Sequence, residues 1–414
     1  MFNGTTIAPA LDTPIKENIY SVGVQDPNLR IFDIVMYTKY GTTYNSYLVI
    51  GSEKVALIEN VKYKFFDQFL DNIKEIIDPA KIDYLIVNHT EPDHSGSIER
   101  LLEINPKIKV FGSRSAMRFL MKISNKSFDS QVVNDGDQIS LGNKTLKFIS
   151  APFLHWPDSI YTYLIEDSIL FTCDSFGCHY STENLDINWV MDNDKEGFMD
   201  AYKYYYDVIM SPFKSYVLQA IEKIKNLRID IIATGHGPIL TNYRDELIGL
   251  YKSWSEELLK EPEKPYVVIV YVSAYGYTEM LAKKISEAIT QSGIDVLLYN
   301  AIEHKIEDIL EKIYMAKGVL FGSPTINSDA LLPIYEILIR LNPIVHGGKI
   351  AGAFGSYGWS GEAVSNIETR LKQLRFKVVE PGLKVNFKPN EEELKKAYEF
   401  CILFAEKVKE KKLV

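Results

Sequence analysis

The sequence predicts a two-domain chain. A mixed first half, α+β or an αββα sandwich, precedes an α/β half built on a doubly wound parallel sheet. Three observations predict this. The 414 residues exceed one ordinary domain. The stretch "LLKEPEKPYVVIV" sets Pro262 and Pro265 among charges just before an apolar run, a linker composition. The hydrophobic grammar also changes across that stretch. The boundary is placed between residues 258 and 266, giving domains of 1–258 and 266–414.

In the first half, "YNSYLVI" and "KVALIE" read as strands, and "KFFDQFLDNIKEII" has helical spacing. The strand series continues through "IDYLIV", "KIKVFG", "TLKFISA", "YTYLIE" and "SILFTC". Helical stretches near 196–210 and 215–226 then precede the strand "DIIAT". Strand runs with covering helices favour α+β or a sandwich over a regular parallel sheet. In the second half, "YVVIVYV", "IDVLLY", "KGVLFG" and "KIAGAFG" alternate with helical segments. "FKVV", "GLKVNF" and the amphipathic "NEEELKKAYEFCILFAEKVKEK" close it. That alternation signals a doubly wound parallel sheet.

Composition narrows the function classes. The chain is 46% hydrophobic and 24% charged, as ordinary globular proteins are. Net charge is -9 and no long Lys/Arg run occurs, which speaks against nucleic acid and anionic membrane as partners. No secretion signal or membrane-length apolar run is visible, and the three cysteines, Cys173, Cys178 and Cys401, form no C-x-x-C pair. The expected location is cytoplasmic.

The motif "VNHTEPDHSGS" places His89, Glu91, Asp93 and His94 within six positions on the loop behind "IDYLIV". His155, Asp174 and His236 each follow a predicted strand. Seven such side chains converging at one end of a sandwich suit two metal ions, with one carboxylate between them. Imidazole serves zinc, copper and iron alike, while added carboxylates favour a harder ion such as iron or manganese. His304 and His346 read as ordinary loop histidines.

This row resembles the metallo-β-lactamase-fold motif H-x-H-x-D-H with Glu91 in place of the second histidine, the pattern of the flavodiiron proteins (A-type flavoproteins). The intervals match that family: 60 residues between His94 and His155, 18 between His155 and Asp174, 61 between Asp174 and His236. "LHWPDS" and "GHGP" also resemble it. The resemblance implies that His89, Glu91 and His155 hold one non-haem iron, that Asp93 and His236 hold the other, and that Asp174 bridges. In the family, the histidine at position 94 is a ligand in some members and turned away in others. His179 aligns with a histidine found in some relatives, and Tyr205 and Tyr206 resemble a tyrosine pair near the pocket.

In the second half, "SAYGYTE" follows the first strand and opens a helix. Ser273, Tyr275, Gly276, Tyr277 and Thr278 there offer hydroxyls, rings and free amides that favour a phosphate. "GSPTINSD" supplies Ser323, Pro324, Thr325, Ile326 and Asn327. "GSYGWSG", after a strand ending at Gly355, supplies Ser356, Tyr357, Gly358, Trp359, Ser360 and Gly361. All three loops leave the C-terminal ends of strands, where ligands bind in open α/β sheets. They resemble flavodoxin, which implies FMN.

The resemblance implies an oxidoreductase that reduces dioxygen to water, nitric oxide to nitrous oxide, or both. Its electrons come through FMN from an external donor, rubredoxin or a reduced deazaflavin coenzyme. It further implies a head-to-tail homodimer or dimer of dimers. Two rival readings are a dizinc, thioesterase-like hydrolase using metal-bound hydroxide and a sensor or electron carrier without turnover. Glu91 and the flavin-type half argue against the hydrolase.

Overall fold

The computed structural model describes residues 15–33, 36–259 and 264–410. The chain divides into two compact units, 1–259 and 260–414.

The first unit packs two sheets face to face. One has six strands in the order Ile19–Ser21, Tyr47–Ile50, Val55–Ile58, Tyr84–Val87, Lys109–Gly112, Ser130–Val132. The other has five: Gln138–Ser140, Thr145–Ser150, Ile160–Leu164, Ile169–Cys173, Ile231–Thr234. Strand side chains alternate between faces. Val49, Ile58, Ile86 and Phe111 of the first sheet therefore meet Phe148, Phe171 and Ala233 of the second in one buried cluster. Removing one such aromatic from water stabilises the fold by about 1.5–3 kcal/mol. Leu48, Leu57, Leu85 and Val110 face the other way, onto the helices Phe66–Ile76, Ile98–Ile104 and Arg114–Ile123. Tyr161, Tyr163, Leu170 and Ile232 likewise face Ile187–Tyr205, Lys214–Ile224 and Arg244–Leu259. The result is an αββα sandwich.

Two local readings of this unit need correction. "YNSYLVI" is two strands, Thr42–Tyr44 and Tyr47–Ile50. The break falls where the Asn45 amide donates to the carbonyls of Thr234 and Gly237, tying the chain to the far sheet. The helix expected from residue 196 begins at Ile187, capped by Asp186. Its non-helical Asp194 (φ -151°, ψ 56°) interrupts the periodicity there, and a π turn over Tyr206–Met210 follows.

The second unit is a parallel sheet in the order Asp295–Asn300, Tyr266–Tyr271, Gly318–Gly322, Ile350–Tyr357, with Lys377–Val378 and Leu383–Asn386 both paired to the last. Val268, Val270, Val319 and Phe321 pack on one side beneath the helices Ile306–Met315, Leu332–Arg340 and Glu362–Gln373. Val267, Ile269 and Leu320 pack on the other beneath Tyr277–Gln291 and Glu391–Glu410. Helices on both faces of a parallel sheet make it doubly wound. The strand expected to end at Gly355 continues to Tyr357, because Leu383–Asn386 pairs with Phe354–Tyr357 and satisfies their backbone groups.

Candidate metal centre and flavin loops

The strand Tyr84–Val87 runs parallel to Val55–Ile58, and Ile169–Cys173 runs parallel to Ile231–Thr234. Their C-terminal ends carry the predicted donors. After Val87, the Asn88 amide donates to Glu59 Oε1 at 2.8 Å, and the Thr162 hydroxyl donates to Asn88 Oδ1 at 2.6 Å. Pro92 then opens a single helical turn, Pro92–Ser95. Its fixed φ suits a first helical position. The turn separates extended Glu91 from helical Asp93 and His94, so a short motif points donors in different directions.

All seven predicted donors come together. His89, Glu91, His155 and Asp174 form one group, and Asp93, His94 and His236 another, with donor atoms within 4.8 Å inside each group. Asp174 joins them. Its Oδ2 lies 3.5 Å from Nε2 of both His89 and His155, while its Oδ1 lies 3.0 Å from His94 Nε2 and 3.5 Å from His236 Nε2. Glu91 Oε2 completes the first group at 2.9 Å from His155 Nε2 and 3.3 Å from His89 Nε2. Asp93 Oδ2 completes the second at 3.2 Å from His236 Nε2 and 3.4 Å from His94 Nε2. Neighbouring ligands at right angles, with bonds of about 2.1 Å, would stand about 3.0 Å apart.

The donor set fits two cations. Both oxygens of Asp93 and Oδ2 of Asp174 are buried without a hydrogen-bond partner. Orphaned buried carboxylate oxygens are costly unless a positive charge meets them. Burial alone would raise the Asp174 carboxyl, but His94, His89 and His155 outweigh it and hold the group well below the usual range. Glu91 is likewise held low against its burial, by His155 and His89. Burial depresses His94, but Asp93 and Asp174 prevail and bring it to about 9.

The imidazoles are oriented from behind. His89 Nδ1 lies 3.3 Å from Asp158 Oδ2, which also accepts the Thr90 amide at 2.8 Å and the Thr90 hydroxyl at 2.7 Å. His236 Nδ1 lies 2.5 Å from the Thr43 carbonyl. Each contact leaves Nε2 toward Asp174. Asp158 was given no role from the sequence; its signal was a carboxylate inside "LHWPDS". Asp158→Asn is expected to weaken metal binding about 10–100-fold, measured by chelator competition, with the fold's melting temperature as the control.

A cavity of about 150 Å³ opens beside Glu91, Asp93, Asp174 and His236. Its other walls include Phe32, Met36, His179, Tyr205, Val208 and Ile209. His179 therefore faces the metal centre, with Nδ1 2.8 Å from the Thr42 hydroxyl and its ring stacked on Phe32 at 4.2 Å. Burial, helped by His236, holds this imidazole well below its ordinary pKa and thus neutral. Tyr205 packs edge-on to His179 at 5.0 Å. Tyr206, expected beside it, does not line the cavity: its hydroxyl pairs with Ser255 Oγ at 2.9 Å among Tyr251 and Trp254. Adjacent helical residues point about 100° apart, so only one of the pair reaches the pocket.

In the second unit, the three predicted loops follow Tyr266–Tyr271, Gly318–Gly322 and Ile350–Tyr357, which are neighbours in the sheet. Gly276 caps the helix Tyr277–Gln291 at φ +85°, a conformation glycine adopts without strain. Open space surrounds the place of its absent Cβ, so the backbone there can approach a phosphate. Thr278 Oγ1 and Ser356 Oγ, 2.8 Å apart, tie the first loop to the third. The Ala363 amide donates to Thr325 Oγ1 at 3.2 Å, and the Thr325 amide donates to the Ser356 carbonyl at 2.9 Å. Ser323 Oγ accepts the Leu331 amide and donates to the Pro324 carbonyl, fixing the second loop. Asn327 turns it at φ +52° behind Ile326. Tyr275 and Trp359 are 84% and 99% exposed, planar surfaces free to meet a ring. Gly358 packs near Phe387, Gly361 near Tyr357, and Tyr277 meets Phe387 edge-on, while Ser360 Oγ donates to Glu362.

The family model described as "ODP family beta lactamase" matches residues 42–237, and "Flavodoxin" matches 269–400. The flavo-diiron protein FprA2 of Clostridium acetobutylicum is 45% identical over 400 residues, covering 95% of this chain and 99% of that one. The chain belongs to the flavodiiron protein family. A nitric oxide reductase of Moorella thermoacetica is 35% identical, covering 93% of this flavodiiron protein and 96% of that one. The solved rubredoxin oxygen:oxidoreductase of Desulfovibrio gigas superposes with a TM-score of 0.64 at 30% identity, covering 96% and 98% of the two chains. The cofactors are FMN and a non-haem iron pair, and the protein is an FMN- and diiron-dependent oxidoreductase.

Proposed function

We propose that this flavodiiron protein reduces a small apolar gas, dioxygen to water or nitric oxide to nitrous oxide. His89, Glu91 and His155 hold one iron, Asp93, His94 and His236 hold the other, and Asp174 bridges them. The observation that carries this reading is a carboxylate-rich donor set opening onto a cavity of only about 150 Å³ with largely apolar walls. Pockets for drug-sized ligands run to about 300–1,000 Å³, so a thioester or other bulky hydrolase substrate is disfavoured. The paired iron, when bound, supplies reversible electron transfer at the place where the gas enters.

The chain's own residues do the rest. Phe32, Met36 and Ile209 form the apolar part of the wall, with Val208 at its solvent-exposed rim. Neutral His179, anchored on Thr42, offers a proton-bearing or accepting nitrogen beside Asp174 without adding charge. The amides opening Tyr277–Gln291, with Ser273, Thr278 and Thr325, hold the FMN phosphate, and Tyr275, Tyr357 or Trp359 cover the ring.

Electrons enter from an external carrier, rubredoxin or a reduced deazaflavin coenzyme. A head-to-tail homodimer, alone or doubled into a tetramer, sets one subunit's flavin beside the other's irons. Among the described residues, no helix is long and apolar enough to cross a membrane. All three cysteines are buried free thiols, which supports a reducing, cytoplasmic setting.

The test measures consumption of each gas by protein loaded with iron and FMN, with a saturating artificial reductant. Catalytic loss of at least one gas is expected, and the faster one names the physiological substrate. If neither gas is consumed, this reading is wrong.

A further inference from the structure

The histidines of the metal centre are not equally anchored. His89 and His236 each set Nδ1 against an oxygen, Asp158 Oδ2 at 3.3 Å and the Thr43 carbonyl at 2.5 Å. His94 has no such bond: its Nδ1 is buried and without a hydrogen-bond partner, although its Nε2 stands 3.0 Å from Asp174 Oδ1. An imidazole that ligates through one nitrogen carries its hydrogen on the other and normally donates it.

One group packed against His94 has the matching deficit. Glu59 ends the strand Val55–Ile58 and is 1% exposed. Its Oε1 accepts the Asn88 amide at 2.8 Å, while its Oε2 is buried and unpartnered. A carboxylate oxygen of Glu59, a ring nitrogen of His94 and the Cys173 thiol lie within 4.8 Å of one another. Backbone bonds fix this contact, since the Asn60 amide donates to the His94 carbonyl at 3.1 Å and the Glu59 amide to the Ile86 carbonyl at 2.9 Å. Glu59 and Cys173 both adopt left-handed backbone, at φ +63° and +49°. Such strain persists where surrounding structure enforces it and clusters at functional sites.

We propose that Glu59 is a positioning residue of the metal centre: its free carboxylate oxygen holds the His94 hydrogen on Nδ1 and so presents Nε2 as a ligand beside Asp174. The contact closes directly or through one bridging water. The inference rests on the iron-pair reading above and decides a point which that reading takes as given, namely what makes His94 a ligand.

Glu59→Gln tests it sharply. The amide oxygen stays committed to the Asn88 amide, so the NH2 group faces His94 and donates to Nδ1. The hydrogen then sits on Nε2, and the ligand is lost. Ferrous iron is titrated anaerobically into metal-free wild type, E59Q, H94A and the double variant, against a competing chelator. E59Q and H94A are each expected to weaken one of the two sites about 10–100-fold, and the double variant to lose no more than either alone. Additive losses would mean that Glu59 acts independently of His94 and would overturn the proposal, as would an unchanged affinity in E59Q or in H94A.

Should E59Q fail to fold, X-ray absorption at the iron edge of wild type and H94A still tests the ligation by His94 that the proposal requires. One imidazole fewer per iron pair is expected in H94A, and an unchanged imidazole count overturns the proposal. A wild-type chain that takes up no iron pair overturns the parent reading and this one together. An iron pair in the wild type whose imidazole count is the same in H94A overturns this one alone.

Discussion

Asp174→Asn is expected to release both irons and to lower gas reduction at least about a thousandfold, equivalent to about 4 kcal/mol. The reason lies in how its two oxygens are divided. Oδ2 faces His89 and His155, and Oδ1 faces His94 and His236, so one carboxylate serves both donor groups. An amide keeps the shape but loses the charge, and its nitrogen cannot act as a donor to a cation. The four imidazoles would then face a neutral group, with only Glu91 and Asp93 left to balance two cations. Iron content by elemental analysis and turnover with an artificial reductant check this. Retention of two irons in the variant would show that Asp174 is not shared between them.

Glu91→His is expected to exchange the preferred metal rather than abolish binding. Glu91 Oε2 stands 2.9 Å from His155 Nε2 and 3.3 Å from His89 Nε2, in the middle of the first group. A third imidazole there removes one negative charge and replaces a hard oxygen by a borderline nitrogen, which favours zinc over iron. Gas reduction is expected to fall about a hundredfold or more, because zinc has no redox chemistry. Growth with both metals supplied, followed by metal analysis, checks it. An unchanged iron content with full activity would refute the role given to Glu91.

The donor constellation was legible because each donor sits just behind a strand, and strands declare themselves by short apolar runs. Once those runs are placed in two sheets, their ends must lie near one another, and unusual residue types at those ends stand out. The flavin loops were legible for the same reason, with Ser356 and Tyr357 belonging to the strand because the later strand Leu383–Asn386 extends it. Residues that act through another residue were harder to see. Asp158 and Glu59 are single carboxylates whose meaning depends on facing His89 from the opposite sheet and His94 from the neighbouring strand. Glu59 did leave a trace, as a carboxylate closing the wholly buried strand Val55–Ile58. Tyr206 was misplaced because adjacency in sequence is not adjacency on a helix. The paired two-residue strands Ile31–Phe32 and Met36–Tyr37, on which Phe32 and Met36 reach the cavity, are too short to show any period.

The most direct test of the account loads the chain with FMN and with either iron or zinc, reduces both preparations anaerobically, and mixes each with dioxygen or with nitric oxide. Flavin reoxidation is followed by its absorbance. Rapid reoxidation by at least one gas in the iron-loaded protein, and slow reoxidation in the zinc-loaded one, is the predicted result. Equal rates in the two preparations would show that electrons leave the flavin without the metal centre, and would contradict the account.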